Sequence, residues 1–179
     1  MKFPPAFQMW DIGRKRVRNI FRGHRRVVTG LDFSPNGRLL ASCSADNTTH
    51  IWCMRDGSSM VLGDGPHNRA VAFSPDERRV ATADYDGVIR LWHVYARKLI
   101  QTWKAHQGPV RDLAFTSNAK GLISASSDST MKYWDIPAIE RKGGYINLDH
   151  KQREVLKFHD HTVRHFYFEY LFMGIGPLL

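Results

Sequence analysis

Several groups of residues in this chain have the types and spacing to do chemistry. His24, Ser42 and Asp46 recur as His106, Ser124 and Asp128, and Thr82 with Asp86 forms a third set without its histidine. A hydroxyl, an imidazole and a carboxylate are the parts of a nucleophilic triad, in which histidine takes the hydroxyl proton and the carboxylate orients the ring. His159, His161 and His165 with Asp160 have donor types and spacing that suit several first-row metals. Cys43 and Cys53 stand on either side of the Asp46 segment, close enough in sequence to approach each other. Arg14, Lys15, Arg16 and Arg18, with Arg22, Arg25 and Arg26 nearby, form a basic run of the kind used for nuclear import or nucleic-acid contact.

The elements that would position these groups repeat. The aspartates Asp46, Asp86 and Asp128 fall 40 and then 42 residues apart. Each is followed six residues later by a tryptophan (Trp52, Trp92, Trp134) and preceded four residues earlier by Ser42, Thr82 or Ser124. Around them the units read Leu31-Asp32-Phe33-Ser34-Pro35-Asn36-Gly37, Val71-Ala72-Phe73-Ser74-Pro75-Asp76 and Leu113-Ala114-Phe115-Thr116-Ser117-Asn118. Within a unit the apolar period is two, not 3.6, so the elements are strands. Val27 to Phe33 alternates up to a Ser-Pro-Asn-Gly turn, in which proline presets φ and Asn-Gly tolerates the reversal. Arg38 to Ser44, Thr48 to Cys53 and Met60 to Gly63 follow as strands. Four short strands in about 40 residues predict one blade of a β-propeller.

Composition agrees with such a domain. The chain has 179 residues, 42% hydrophobic and 24% charged, which is globular rather than disordered. Two cysteines predict free buried thiols in a reducing compartment rather than a disulfide scaffold. The stretch Phe166 to Leu179 is too short to span a bilayer and is interrupted by Glu169, and Met1 to Trp10 lacks a secretory apolar region. A net charge of +9 suits acidic partners.

The Gly-His, Asp and Trp-Asp spacing resembles the WD repeat over residues 6 to 135. The resemblance implies a buried hydrogen-bond chain linking His24, Ser42, Asp46 and Trp52 in one blade and His106, Ser124, Asp128 and Trp134 in another. The middle set is Thr82, Asp86 and Trp92, with Gly63-Asp64 where the others have Gly-His. Two facing carboxylates there would break the chain or hold one acid protonated, and would leave that edge the least ordered. The run Trp10-Asp11-Ile12 to Phe21, with Met54 to Ser59, Lys120-Gly121-Leu122 and Lys132 to Asp135, is similar to the propeller of the fungal Tup/Groucho-type transcriptional corepressors.

The fold expected is therefore all-β: an incomplete WD propeller over residues 1–158, with three four-stranded blades and partial blades at both ends. A remnant lies at 6–22 and repeats at about 23–63, 64–104 and 105–158. Residues 137–152 read as an inserted loop and 159–179 as a divergent tail. A seven-bladed ring at ~42 residues per blade needs roughly 290 residues, so open edges predict weak stability or self-association.

That placement sets the chemistry. Each triad-like histidine lies under a tryptophan with no room for an oxyanion, so the chain is expected to be no enzyme. The tail histidines lack a supporting second shell, so neither metal nor cofactor is expected. The basic run falls on a strand-to-strand turn and an outer strand, where it is a solvated edge. It lacks the aromatic interleaving that stacks bases, so no direct sequence-specific DNA binding is expected. What remains is protein–protein interaction. The resemblance implies a binding face formed three and five residues after each His position and one before each Asp. Those residues are Val27, Thr29 and Ala45; His67, Arg69 and Tyr85; Pro109, Arg111 and Ser127. Two arginines and His67 suit an acidic or phosphorylated segment of a transcription factor. The expected role is a corepressor-like scaffold, nuclear or cytoplasmic with the nucleus first, and no membrane partner. The alternatives are an adaptor of another WD class, such as a ubiquitin-ligase substrate receptor or RNA-processing scaffold, or a truncated propeller with little function of its own.

Overall fold

The computed structural model describes residues 6–65 and 67–141, and the backbone of 153–157; of residue 64 only the backbone is described. Strand β1 (Ala6–Asp11) pairs antiparallel with β2 (Arg16–Arg22) as a two-stranded sheet. A four-stranded sheet follows from β3 (Val28–Phe33), β4 (Leu39–Ser44), β5 (Thr48–Cys53) and β6 (Ser59–Asp64), in sequence order from inside outward. A second uses β7 (Asn68–Phe73), β8 (Arg79–Asp84), β9 (Val88–His93) and β10 (Lys98–Lys104). A third uses β11 (Val110–Phe115), β12 (Gly121–Ser126), β13 (Thr130–Asp135) and β14 (Arg153–Lys157). These are three blades and the outer half of a fourth. One correction concerns the loop expected at 137–152. It opens on a short helix, α1 (Ile136–Arg141), whose Ile136 and Ile139 are buried against the second blade. The rest of that loop, and the tail with His159, His161 and His165, lie outside the described residues.

The turns follow from residue type. In Ser34-Pro35-Asn36-Gly37 the Ser34 hydroxyl donates to Asn36 Oδ1 at 2.9 Å and accepts the Leu39 N–H at 2.9 Å, closing the reversal from β3 to β4. Ser74 with Asp76 and Thr116 with Asn118 repeat the device in the other blades. At the turns that carry the repeat aspartate, Gly87 takes φ +80°, and a Cβ there would lie 2.3 Å from the His106 carbonyl.

Blades stack because each presents one flat small-residue face and one bulky face. Ala41, Cys43 and Ile51 of the first receive Val71, Phe73, Val80 and Trp92 of the second. Ala70, Ala72, Ala81 and Ala83 of the second receive Leu113, Leu122 and Trp134 of the third. Alanine on one side leaves room for the branched and aromatic residues opposite, so the sheets interdigitate at interior density. Polar pairs fix the register. Thr29 Oγ1 donates to the Asn68 carbonyl at 2.7 Å, Asp32 Oδ2 accepts the Phe73 N–H at 2.7 Å, and Arg79 bridges to Glu140 at 3.0 Å.

Candidate partner-binding face and the buried hydrogen-bond sets

In the first blade Trp52 Nε1 donates to Ser42 Oγ at 2.8 Å, and Ser42 Oγ lies 2.7 Å from His24 Nε2. His24 Nδ1 is 3.0 Å from Asp46 Oδ2, which also accepts the Arg25 N–H, while Thr48 bonds Asp46 Oδ1 through both N–H and hydroxyl. Only one proton order satisfies this line: the indole donates to serine, serine to Nε2, and Nδ1–H to the carboxylate. The third blade repeats it with Trp134, Ser124, His106 and Asp128 at 2.8, 2.7 and 2.9 Å. Burial alone would raise the Asp128 pKa, but hydrogen bonds from Thr130, the Gln107 N–H and His106 outweigh it and bring it to about 2. Asp46 is likewise held below the ordinary carboxylate range, its burial outweighed by Thr48, the Arg25 N–H and His24.

This order of donors is that of a hydrolytic triad, yet Ser42 and Ser124 are fully buried and each hydroxyl oxygen already accepts an indole N–H. No carbonyl can reach them. The geometry is a structural clamp from the His-bearing loop through the second strand to the third.

The second blade differs from its sequence reading. Trp92 still donates to Thr82 at 3.0 Å. The buried carboxylate, however, is Asp84, two residues earlier than expected: Oδ1 accepts the Val88 N–H at 2.9 Å and Oδ2 pairs with Arg90 at 2.7 Å. Asp86 contributes its backbone carbonyl to Lys104, and its carboxylate has no hydrogen bond among the described residues. The repeat departs there in residue type but not in spacing: where this blade has Asp84 and Arg90, its neighbours have Ser44 with His50 and Ser126 with Lys132. The close approach of Gly63 to Trp92, where a Cβ would lie 2.1 Å from the ring, explains the glycine there. Cys43 is buried and its thiol pushed up to about 11 by that burial, and it pairs across the sheet with Thr49, whereas Cys53 pairs with Leu39; both are free.

Each expected binding pair is joined by backbone. Val27 accepts the Ala45 N–H at 3.0 Å, His67 the Tyr85 N–H at 3.1 Å, and Pro109 the Ser127 N–H at 2.9 Å. Val27, His67, Tyr85, Arg111 and Ser127 are exposed; Ala45, Arg69 and Pro109 are partly buried. The Thr29 hydroxyl differs from the rest, being committed to the bond between blades described above. Arg69 is less comfortable as a cation than usual, first because it is partly buried and then because Arg111 is near, with Tyr85 opposing. Arg111 bonds Ser127 Oγ through Nε, and among the described residues no carboxylate pairs with either guanidinium.

The WD domain, G-beta repeat family matches residues 15–53, 67–93 and 97–135. The chain belongs to the WD-repeat family. Members of that family serve generally as protein-interaction scaffolds. Among its relatives, apoptotic protease-activating factor 1 of Rattus norvegicus is 31% identical over 142 residues, covering 77% of this chain and 11% of that protein. Nuclear distribution protein PAC1 of Arthroderma otae is 28% identical over 144 residues, covering 73% and 31%. Small ribosomal subunit protein RACK1 of Drosophila melanogaster is 25% identical over 141 residues, covering 72% and 43%. This WD-repeat chain thus spans less than half the length of each of these relatives.

Proposed function

We propose that this chain is a non-catalytic scaffold that captures an acidic or phosphorylated segment of a transcription regulator, in the manner of a corepressor and in the nucleus. The observation that carries the reading is the pair Arg69 and Arg111 beside the exposed ring of Tyr85, two cations without a carboxylate among the described residues. Like charges held near each other, with Arg69 partly buried, are relieved by an anion, and arginine forks match carboxylate and phosphate oxygens in two-point contact. Tyrosine adds rigid area at small entropic cost, so the three residues have the composition of an interface hot spot. The resemblance of Trp10 to Phe21 and Lys132 to Asp135 to the corepressor propellers supports the transcriptional role.

Fluorescence anisotropy with a labelled phosphoserine peptide and its unphosphorylated twin tests the site. The phosphorylated peptide binds more tightly, and binding weakens as salt rises. Changing Arg69, Tyr85 and Arg111 together to Ala weakens it by tenfold or more while circular dichroism and melting temperature stay near those of the parent. A triple variant that folds and binds as the parent does removes this face from the function.

A further inference from the structure

The second blade keeps the repeat aspartate, Asp86, but not the groups that enclose it elsewhere. In the first blade Asp46 is held by the His24 ring, the Arg25 N–H, and the N–H and hydroxyl of Thr48. Asp128 has the matching set in His106, the Gln107 N–H and Thr130. These two aspartate side chains are 6% and 13% exposed. Around Asp86 every such partner is replaced or diverted. Residue 64 is an aspartate where the others have histidine, and residue 88 a valine where they have threonine. The Gly65 N–H donates to the Asn47 carbonyl at 2.9 Å, and the Val88 N–H goes to Asp84 at 2.9 Å. Asp84, paired with Arg90, has taken the buried role. Asp86 is left exposed, and its carboxylate accepts no hydrogen bond among the described residues.

Its surroundings define what it can read. Asp86 follows Tyr85, whose ring is 54% exposed and whose hydroxyl lies within charge reach of Arg69. The turn that carries both is fixed on the third blade, because the Gly87 carbonyl accepts the N–H groups of Ala105 and His106 at 2.8 and 3.0 Å. Lys104 bonds the Asp86 backbone carbonyl and forms no ion pair with its carboxylate. The arginine face thus carries two cations, an exposed aromatic ring and, in the residue after the ring, an unpaired carboxylate. Arg69 and Arg111 by themselves would attract any polyanion. A carboxylate at their border repels a second negative charge and accepts a positive one. The face of Tyr85 beside it suits an ammonium or guanidinium group as well.

We infer that Asp86 sets the selectivity of the arginine face, whose partner segment carries both signs: a phosphate or carboxylate on Arg69 and Arg111, and a lysine or arginine lying along Tyr85 with its head group on Asp86. The inference rests on the anion-binding reading of Arg69 and Arg111 given above and adds the second charge to it. Runs of acidic residues and nucleic-acid backbones, whose charges all have one sign, are disfavoured at this face despite the net charge of +9.

The probes are phosphoserine peptides that differ at one place, which holds Lys, Ala or Glu. That place is moved over the neighbouring positions on either side of the phosphoserine, and binding to the full chain is read by fluorescence anisotropy. At the best position the peptides should bind in the order Lys, Ala, Glu, with Lys about fivefold tighter than Ala, the size of one exposed ion pair with a cation–π contact. Attraction to a chain of net charge +9 would by itself give the reverse order. Asp86→Asn should weaken the Lys peptide and tighten the Glu peptide, and Asp86→Glu should restore the parent order. Both variants should melt as the parent does. The inference is overturned if the Glu peptide binds as tightly as the Lys peptide at every position, or if the preference for Lys survives Asp86→Asn. A melting temperature of Asp86→Asn far below the parent's would make the carboxylate a structural group and overturn it too. Peptides that all bind alike remove the role of Asp86 alone, whereas peptides that all fail to bind remove the arginine site and this inference with it.

Discussion

At the level of single residues, the same problem is solved twice in one way and once in another. A tryptophan N–H buried between strands needs an acceptor, and each blade supplies a hydroxyl ten residues earlier. In the first and third blades histidine and aspartate extend that bond into a line. In the second, Asp84 and Arg90 form an ion pair in which the carboxylate is fully buried and the guanidinium nearly so. Removing one member of such a pair strands a buried charge, at about 3–5 kcal/mol. Arg90→Met should therefore lower stability by that order, whereas the double change Asp84→Ser with Arg90→His, which installs the first blade's residues, should recover most of it. Urea unfolding of the two variants checks this; equal losses in both would show that the cost does not come from stranding the buried Asp84 carboxylate. Thr82 and Trp92 were legible from spacing alone, but spacing pointed to Asp86 as the inward carboxylate where the structure has Asp84. Spacing reports position along a strand, whereas the choice between Asp84 and Asp86 depends on the cation across the sheet.

Among elements, packing on both faces separates the strands. The middle blade has a neighbour on each side, and Val80, Ala81, Ala83, Ile89 and Leu91 are fully buried. Among the described residues the first and third blades each have one fully packed face, and one edge of β1 has no partner. Local opening free energy follows burial, so amide exchange should be slowest in β8 and β9, intermediate in β4, β5 and β12, and fastest in β1. Exchange of β1 amides as slow as those of β8 would contradict this order. The described strands of the three repeats follow from two-residue periodicity, with Ser-Pro turns marking the first two repeats. The short helix α1 escaped that reading because it is less than two turns long and its stability comes from seating Ile136 and Ile139, a tertiary effect.

For the whole molecule, acid is the shared weakness. Burial, and for His50 also the nearby charge of His24, lowers the pKa of His50 and His106 below the ordinary 6.5. The unfolded chain therefore binds protons that the folded chain refuses, and stability starts to fall as pH drops below about 6.5. Asp128 and Asp46 are shifted down, so their contribution is complete above their unfolded pKa near 3.8 and is lost as pH falls toward about 2. Thermal melts from pH 8 to pH 3 should show the melting temperature falling in two stages on acidification. A flat profile between pH 7 and pH 5 would mean that the buried imidazoles are accessible to protons. The expectation of disorder at the Asp64 edge rests on a side chain outside the described ones.

By itself the sequence determined the repeat, the strand order within each blade, the residues that meet around Trp52 and Trp134 and the membership of the family. All of these depend on short-range spacing, in which a period of two and a fixed offset of six or ten residues settle neighbours within one sheet. Only the tertiary structure decided which carboxylate is buried in the middle blade, that Arg69 and Arg111 of different blades share one patch, and that Leu31, Phe33 and Trp10 are bare. Those facts depend on which sheet lies beside which, and on where stacking stops. Leu31 and Phe33 have the same residue types and spacing as Leu113 and Phe115, and what distinguishes them is that no described strand lies beside them.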